Sequence, residues 1–410
     1  MEGKQNLPAG WKWVKLGEVC NYSQYGLTVS ELHSNDGYPL IRITDIDNLG
    51  NLKLKDTKCT QLDETIFKRY ELKDGDILFT RTGSLGRTFL YSGNPSKAVF
   101  ASYLIRFSLN KSFIEPLYLF YYTHSKEYFE FIEEKKHTVS QPNINAEEYK
   151  SLLIPLPPLS EQKRIATKLK EMMNEVDDAR LACEKQLEAA KLLLSAYLRE
   201  VFESNEANKW ERKRLCETLE KIESGSRPKG GVFEIKDGIP SIGAEHLYSF
   251  GRFNFDNLRF VPEEFYKSMT RGKIQKSDVL VVKDGATTGK VSFVRNDFPY
   301  PYAAINEHVF RLRGKEFLNQ EFLFWFLYSP LGQKQIWREF HGAAQGGINQ
   351  QFVNEVQIPL PSLEVQHSIV SDLRGKMAHI EKLYTEIEKQ LDTINALPQT
   401  ILRKAFRGEI

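Results

Sequence analysis

The chain repeats itself once, and the way the repeat drifts restricts the fold more than any composition figure. Trp11-Lys12-Trp13-Val14-Lys15-Leu16 returns 199 residues later as Trp210-Glu211-Arg212-Lys213-Arg214-Leu215. Asp36-Gly37-Tyr38-Pro39 returns after 201 residues at Asp237, Asp76-Ile77-Leu78 after 202 at Asp278, and Ile154-Pro155-Leu156-Pro157 after 204 at Ile358. From there the lag stays at 204: Gln162 with Gln366, Ile165 with Ile369, Leu187 with Leu391, Phe202 with Phe406. A drifting lag is what loop insertions in a globular unit produce. A constant lag is what a helix demands, because an insertion there would rotate its buried face. Two copies are too few for a solenoid, so the pattern describes a tandem duplication, each copy a globular unit followed by a long helix.

Residues 1–157 and 206–361 are expected to be the globular units, and 158–205 and 362–410 the helices. A length of 410 residues gives each copy room for its own core. The globular units read as mixed α and β, an α+β fold. Short strands are expected at Leu40-Ile41-Arg42-Ile43, Asp76-Ile77-Leu78-Phe79, Asp278-Val279-Leu280-Val281-Val282 and Lys290-Val291-Ser292-Phe293-Val294. Residues 115–133 read as one aromatic-rich helix, matched by 321–340, with Tyr118, Phe120, Tyr121, Tyr122, Tyr128, Phe129 and Phe131 assigned to the core.

The long helices are the clearest elements. Pro155, Pro157 and Pro158 form a stiff lead-in, Ser160 is placed to cap, and Glu161 suits the positive end of the helix dipole. Apolar residues then recur at Ile165, Leu169, Met172, Val176, Ala179, Cys183, Leu187, Ala190, Leu194, Tyr197 and Val201, a heptad seam with one phase slip. The second copy carries Ile369, Leu373, Met377, Ile380, Tyr384, Ile387, Leu391, Ile394 and Ile401, with Pro398 expected to kink or break its last turns. Connectivity favours an antiparallel coiled coil. Such a pair measures distance, and duplex DNA, which repeats every ~34 Å, is the natural thing to measure.

Chemistry for a reaction is missing. Gly285-Ala286-Thr287-Thr288-Gly289-Lys290 is one residue short of a phosphate loop and lacks a hydroxyl after the lysine. Asp297-Phe298-Pro299-Tyr300 lacks the first proline of the adenine-methyltransferase tetrapeptide. The eight histidines show no HExxH, and the four cysteines no CxxC, which argues against a zinc enzyme and fits a reducing cytoplasm. No window approaches the ~20 apolar residues of a membrane helix, and residues 1–10 lack a secretory signal. A non-catalytic, cytoplasmic chain without metal or cofactor of its own is therefore expected.

Binding remains. Thr80-Arg81-Thr82-Gly83-Ser84-Leu85-Gly86-Arg87 and Lys283-Asp284-Gly285-Ala286-Thr287-Thr288-Gly289-Lys290 each follow a strand and join hydroxyls, glycines and cations. Such a loop can approach a phosphate or be a plain exposed turn. Arg42, Thr80, Arg81, Thr82, Ser84 and Arg87 in the first copy are candidate DNA contacts. Lys283, Thr287, Thr288 and Lys290 are theirs in the second, together with Arg227 and Lys229 of a Ser-Gly-rich loop. Residues 210–360 hold 21 Lys and Arg against 18 Asp and Glu, which permits DNA binding without proving it. Gln141-Pro142-Asn143-Ile144-Asn145 and Gln345-Gly346-Gly347-Ile348-Asn349-Gln350 admit two readings. Gln345 can read adenine, whereas Asn145 followed by Glu148 resembles a helix capping box.

The run Ile154-Pro155-Leu156-Pro157-Pro158-Leu159-Ser160-Glu161-Gln162 closely resembles the DNA-specificity (S) subunits of Type I restriction-modification systems. So do the opening Trp-x-x-x-x-Leu, the Asp-Ile-Leu-Phe-Thr-Arg-x-Gly strand and loop, and the terminal Ala405-Phe406-Arg407-Gly408. The second copy departs from the pattern at Ser362 and Val365, and the first copy's end, Val201-Phe202-Glu203, lacks the glycine. The resemblance implies two target recognition domains, each reading one half of an asymmetric bipartite site in double-stranded DNA. It further implies that the paired helices, through Ile165, Leu169, Val176, Leu187, Leu194, Ile369, Leu373, Ile380, Ile387 and Leu391, set the spacer. Two methyltransferase subunits carrying S-adenosylmethionine, and restriction subunits, are the implied partners. A coiled-coil adaptor without DNA specificity is the alternative.

Overall fold

A computed structural model describes residues 7–29, 37–53, 58–136, 142–232, 235, 237–342 and 346–410. The chain forms two compact units that do not follow chain order. Unit 1 is Met1–Cys183 with Gln390–Ile410, and unit 2 is Glu184–Lys389. Both long helices, Leu159–Phe202 and Leu363–Ala405, therefore contribute one part to each unit. No helix among the described residues is long and apolar enough to cross a membrane.

Each unit repeats one topology. Unit 1 has a four-stranded antiparallel sheet ordered Cys20–Tyr25, Leu104–Leu109, Ile77–Thr80, Thr88–Leu90. Unit 2 has Leu219–Ser224, Val309–Gly314, Val279–Val282, Val291–Phe293 in that order. Even the irregularity is copied, with the register slipping between Cys20 and Tyr22 and between Leu219 and Lys221. A three-stranded sheet follows in each: Lys58–Thr60, Tyr38–Ile41, Val99–Phe100 against Arg259–Val261, Ile239–Ile242, Ala304–Ile305. The Trp-x-x-x-x-Leu landmarks become the strands Lys12–Lys15 and Glu211–Arg214. They pair with the Ile-Pro-Leu strands Leu153–Leu156 and Gln357–Leu360, Trp13 opposite Pro155 and Arg212 opposite Pro359.

Each aromatic stretch is two helices rather than the single one expected. Pro116–Tyr122 and Lys126–Lys135 are separated at Ser125, whose hydroxyl accepts from the Tyr128 amide. Gln320–Tyr328 and Pro330–Arg338 are separated at Ser329, which caps the Gly332 amide. Each serine caps the second helix from an extended backbone, and in the second copy Pro330 follows it, which turns the preceding residue away from the helical region. The stripe is core: Tyr118, Tyr122, Tyr128, Phe322, Phe324 and Phe326 are buried, while Phe129 is exposed.

Within unit 1, Ile165, Leu169 and Val176 pack into one core with Ile401, Leu402, Ala405 and Phe406. Within unit 2, Ala190, Leu194, Leu198 and Phe202 pack with Val370, Leu373, Met377, Ile380 and Tyr384, and Leu187 and Ile369 lie at its margin. In each unit the start of one long helix meets the end of the other, an antiparallel arrangement. Ile387 is buried and Leu391 half-buried. The buried face of the first helix leaves the expected seam near its end, passing through Leu198 and Phe202 with Tyr197 and Val201 only partly buried. The helix there packs on the aromatic helix Gln320–Tyr328 of unit 2, Phe202 lying 5.3 Å from Phe322 and 5.7 Å from Phe326 between ring centroids. The second helix runs unbroken through Pro398.

The glutamine shared by both helix starts is a buried fastener. Gln162 accepts from the Glu115 amide and donates to the Phe113 and Pro157 carbonyls, at 2.9, 3.0 and 2.9 Å. Gln366 does the same with Asn319, Phe317 and Pro361, at 2.8, 3.1 and 2.9 Å. Val365 is harmless because its counterpart Glu161 faces outward and bonds only Arg164 among the described residues.

Candidate nucleic-acid interface

In unit 1 the strand Ile77–Thr80 runs into the glycine loop, which returns as Thr88–Leu90. The Thr80 hydroxyl donates to the Ser84 carbonyl at 2.7 Å, and Gly83 and Gly86 take the left-handed backbone (φ +72° and +87°) that closes so tight a turn. Two segments distant in sequence hold the loop. Its Arg81 amide donates to the Tyr103 carbonyl (3.0 Å), and its Arg81 carbonyl accepts from the Ile144 amide (2.9 Å). Thr82 bridges to Asn143, and its hydroxyl donates to the Pro142 carbonyl. The Arg81 guanidinium lies 4.9 Å above the Tyr25 ring and has no ion-pair partner among the described residues. Tyr25 and Tyr103 are exposed beside it. The result is a cation oriented by an aromatic face, its guanidinium N–H donors uncommitted among the described residues.

Unit 2 builds the same frame from different side chains. The Lys283 amide donates to the His308 carbonyl (2.8 Å), the Lys283 carbonyl accepts from the Ile348 amide (2.8 Å), and Asp284 bridges to Gly347. Lys283 therefore stands where Arg81 does, Asp284 where Thr82 does and His308 where Tyr103 does. Asp284 Oδ1 lies 2.5 Å from His308 Nδ1, His308 Nε2 lies 3.3 Å from Glu307, and Glu307 pairs with Arg227 at 2.6 Å. Lys229 and Thr287 are exposed, with Lys229 followed by Gly230 and Gly231 at φ +93° and +82°.

Several candidate contacts are spent inside their own unit, which corrects the sequence reading. Thr80 is fully buried, and Thr288 is buried with its hydroxyl on the Gly285 carbonyl at 2.7 Å. Arg42 is folded onto the buried Asp45 carboxylate at 2.7 and 3.0 Å. Arg87 turns away from the loop tip to Asn48 Oδ1 (2.7 Å) and the Ile46 carbonyl (3.1 Å). Its counterpart Lys290 lies over the Tyr248 ring at 5.7 Å, and burial holds its ammonium below the usual lysine range. Sequence alone says that a residue is a hydroxyl or a cation, not that a turn has already used it. Arg227, Lys229 and Thr287 are exposed, and Arg81, Thr82, Ser84 and Lys283 are partly accessible. Gln345 lies outside the described residues. Its companion reading is resolved at Asn145, whose side chain caps Glu148 (3.0 Å) while Glu148 returns to the Asn145 amide (2.7 Å).

Tyr25, Tyr103, Asp284, Glu307 and His308 were not on the candidate list. The equivalence of Tyr103 and His308 rests on backbone bonds, since the residues around them, Ala101-Ser102 and Asn306-Glu307, do not match.

Comparison with known proteins gives one consistent result. The family model "Type I restriction modification DNA specificity domain" matches residues 8–188 and again 207–392. The EcoBI specificity subunit of Escherichia coli is 26% identical over all of this chain and 88% of its own length. The putative MjaX specificity subunit of Methanocaldococcus jannaschii is 26% identical over 98% of this chain and 94% of its own. Among solved structures, a chain from work on assembly and conformational transition of the type I R-M system superposes with a TM-score of 0.73. It is 24% identical over 99% of this chain and 100% of that one. The HsdS subunit from Thermoanaerobacter tengcongensis gives a TM-score of 0.51 at 24% identity over the full length of both.

Proposed function

The chain belongs to the Type I restriction modification DNA specificity family, and from that premise we propose that its two units read the two halves of an asymmetric bipartite DNA site. One observation carries this reading. The units share strand order, register and even a bulge, yet equivalent loop positions hold Arg81, Thr82 and Tyr103 in one and Lys283, Asp284 and His308 in the other. A frame kept constant while its exposed side chains vary is what two readers of different sequence require.

The chain acts by binding, and adenine methylation and cleavage belong to partners. S-adenosylmethionine is held by methyltransferase subunits, of which two dock on the long helices, and restriction subunits join them. Outward-facing apolar residues support this docking: Leu181, Leu192 and Leu193 on the first helix and Leu383 and Leu397 on the second are exposed. Leu181 and Leu192, eleven residues apart, return to one helical face. The helices set the distance between half-sites.

The test is to express the chain with its methyltransferase partner in a host lacking such modification and map N6-methyladenine. One asymmetric bipartite motif, lost without this chain, is the expected result. No motif from a folded, assembled complex would leave the adaptor reading. On the purified complex, Arg81→Ala and Lys283→Ala should each weaken duplex binding and lower the log–log salt slope by about 0.9, the contribution of one phosphate contact. Unchanged affinity and slope would show that the loop stays off the duplex.

A further inference from the structure

The frame shared by the two units makes their loops comparable position by position, and one position differs in the sign of what it offers a base. In unit 1, Thr82 presents a hydroxyl that is bonded to the Pro142 carbonyl. In unit 2 the equivalent Asp284 presents a carboxylate, an acceptor-only group. It is about a third exposed and is held from both sides. His308 Nδ1 lies 2.5 Å from Oδ1, and the Lys283 ammonium lies 3.8 Å from Oδ2. His308 is itself braced by Glu307, which Arg227 holds at 2.6 Å.

A carboxylate on a DNA-facing loop repels phosphates, so it adds nothing to general affinity. What it does well is accept a hydrogen bond from an exocyclic amino group in the major groove, and among base edges the cytosine N4 amine is its usual match. One ring contact leaves most of its lone-pair positions open. Its neighbours also fix its direction, which is what a specificity contact needs and a solvated surface charge lacks. Among the described residues unit 1 has no carboxylate at the matching place. There Arg81, raised over Tyr25, offers only donors.

We propose that Asp284, positioned by His308, selects a cytosine in the half-site read by unit 2, through its amino group, and that Thr82 leaves the corresponding position of the other half-site without this preference. This rests on the bipartite reading above.

The experiment uses the chain assembled with its methyltransferase partner, comparing wild type, Asp284→Ala, Asp284→Asn and His308→Gln by methylome. Asp284→Ala should relax one cytosine position in one half-site, with discrimination falling about tenfold, while the other half-site stays unchanged. Asp284→Asn should move the preference at that position toward adenine, which an Asn side chain matches. His308→Gln should fall between wild type and Asp284→Ala. A motif unchanged in both Asp284 variants overturns the proposal and leaves the bipartite reading intact. Absence of a bipartite motif in wild type overturns both. If a variant does not methylate, competition binding with singly substituted duplexes decides. Lost discrimination at one position, with raised affinity for unrelated DNA, supports the role. A uniform loss across all duplexes shows a structural role and overturns it.

Discussion

Phe202→Ala is expected to cost about 3–5 kcal/mol, the usual range for a fully buried phenylalanine, and to remove it from unit 2. The side chain has no solvent exposure and lies in a core with Phe322 and Phe326, at 5.3 and 5.7 Å. The hole is bounded by helices and a sheet that cannot close around it without losing their own contacts, so the cavity persists. The effect should be local. Hydrogen exchange should quicken in Leu219–Ser224 and Val309–Gly314 and stay unchanged in the equivalent strands Cys20–Tyr25 and Leu104–Leu109. A loss below about 1 kcal/mol in urea titration would mean that the core relaxes into the space.

Asp278→Ala should be as damaging, about 3–5 kcal/mol, because it strands buried positive charge. The carboxylate is fully buried and receives Arg311 Nη1 at 3.2 Å, Arg313 at 2.5 and 3.1 Å and the Gln275 amide at 2.7 Å. Among the described residues Arg311 would keep Glu223 alone, at 2.7 Å, as an anionic partner. Burial pushes the Asp278 carboxyl above the usual range, outweighing the two guanidinium groups. A carboxyl whose value is raised on folding binds its proton more tightly in the native state. Stability from this group is therefore greatest below the ordinary aspartate value and declines as pH rises through the raised one. Glu223 has the opposite sign. Burial opposes ionisation, but the Gly272 amide and Arg311 hold its carboxyl below the usual range, so its contribution is lost as pH falls through that value. In Asp278→Ala the decline with rising pH should vanish while the Glu223 loss at low pH remains. Replacing Asp278 by Leu, Arg311 by Met and Glu223 by Gln together should recover much of the stability, since only the partly exposed Arg313 then loses a partner and the buried charges are gone. Failure to recover would place the effect in packing rather than charge.

What was legible in the sequence was whatever repeats or obeys a period. The landmarks at Trp11, Tyr38, Asp76 and Ile154 mark strands or strand starts in both copies, and the constant lag marks the two long helices. The aromatic stretch reads as core, which it is, but as one helix; Ser125 looks ordinary until its hydroxyl is seen to cap, whereas Pro330 already marks the second break in the sequence. The loops were legible as loops and not as surfaces. Thr82 meets Asn143 and Asp284 meets His308 through pairings remote in sequence that no local pattern announces. For the same reason Thr80, Arg42 and Arg87, chosen for their chemistry, proved to serve the fold. Gln162 shows the reverse: a residue noticed only as part of a motif closes three hydrogen bonds at the foot of the helix.

The discontinuous make-up of unit 1 sets an order of events during synthesis. Its sheets and aromatic helices leave the ribosome first, but Ile401, Leu402, Ala405 and Phe406, which complete its core, leave last. Phe406 closes edge-on against Tyr118 and Tyr122, at 5.3 and 5.1 Å. Unit 2 has all its parts once Lys389 has emerged. The half that is translated first is thus the half whose core receives its last residues last. A truncation after Lys389 would spare unit 2 and cripple unit 1.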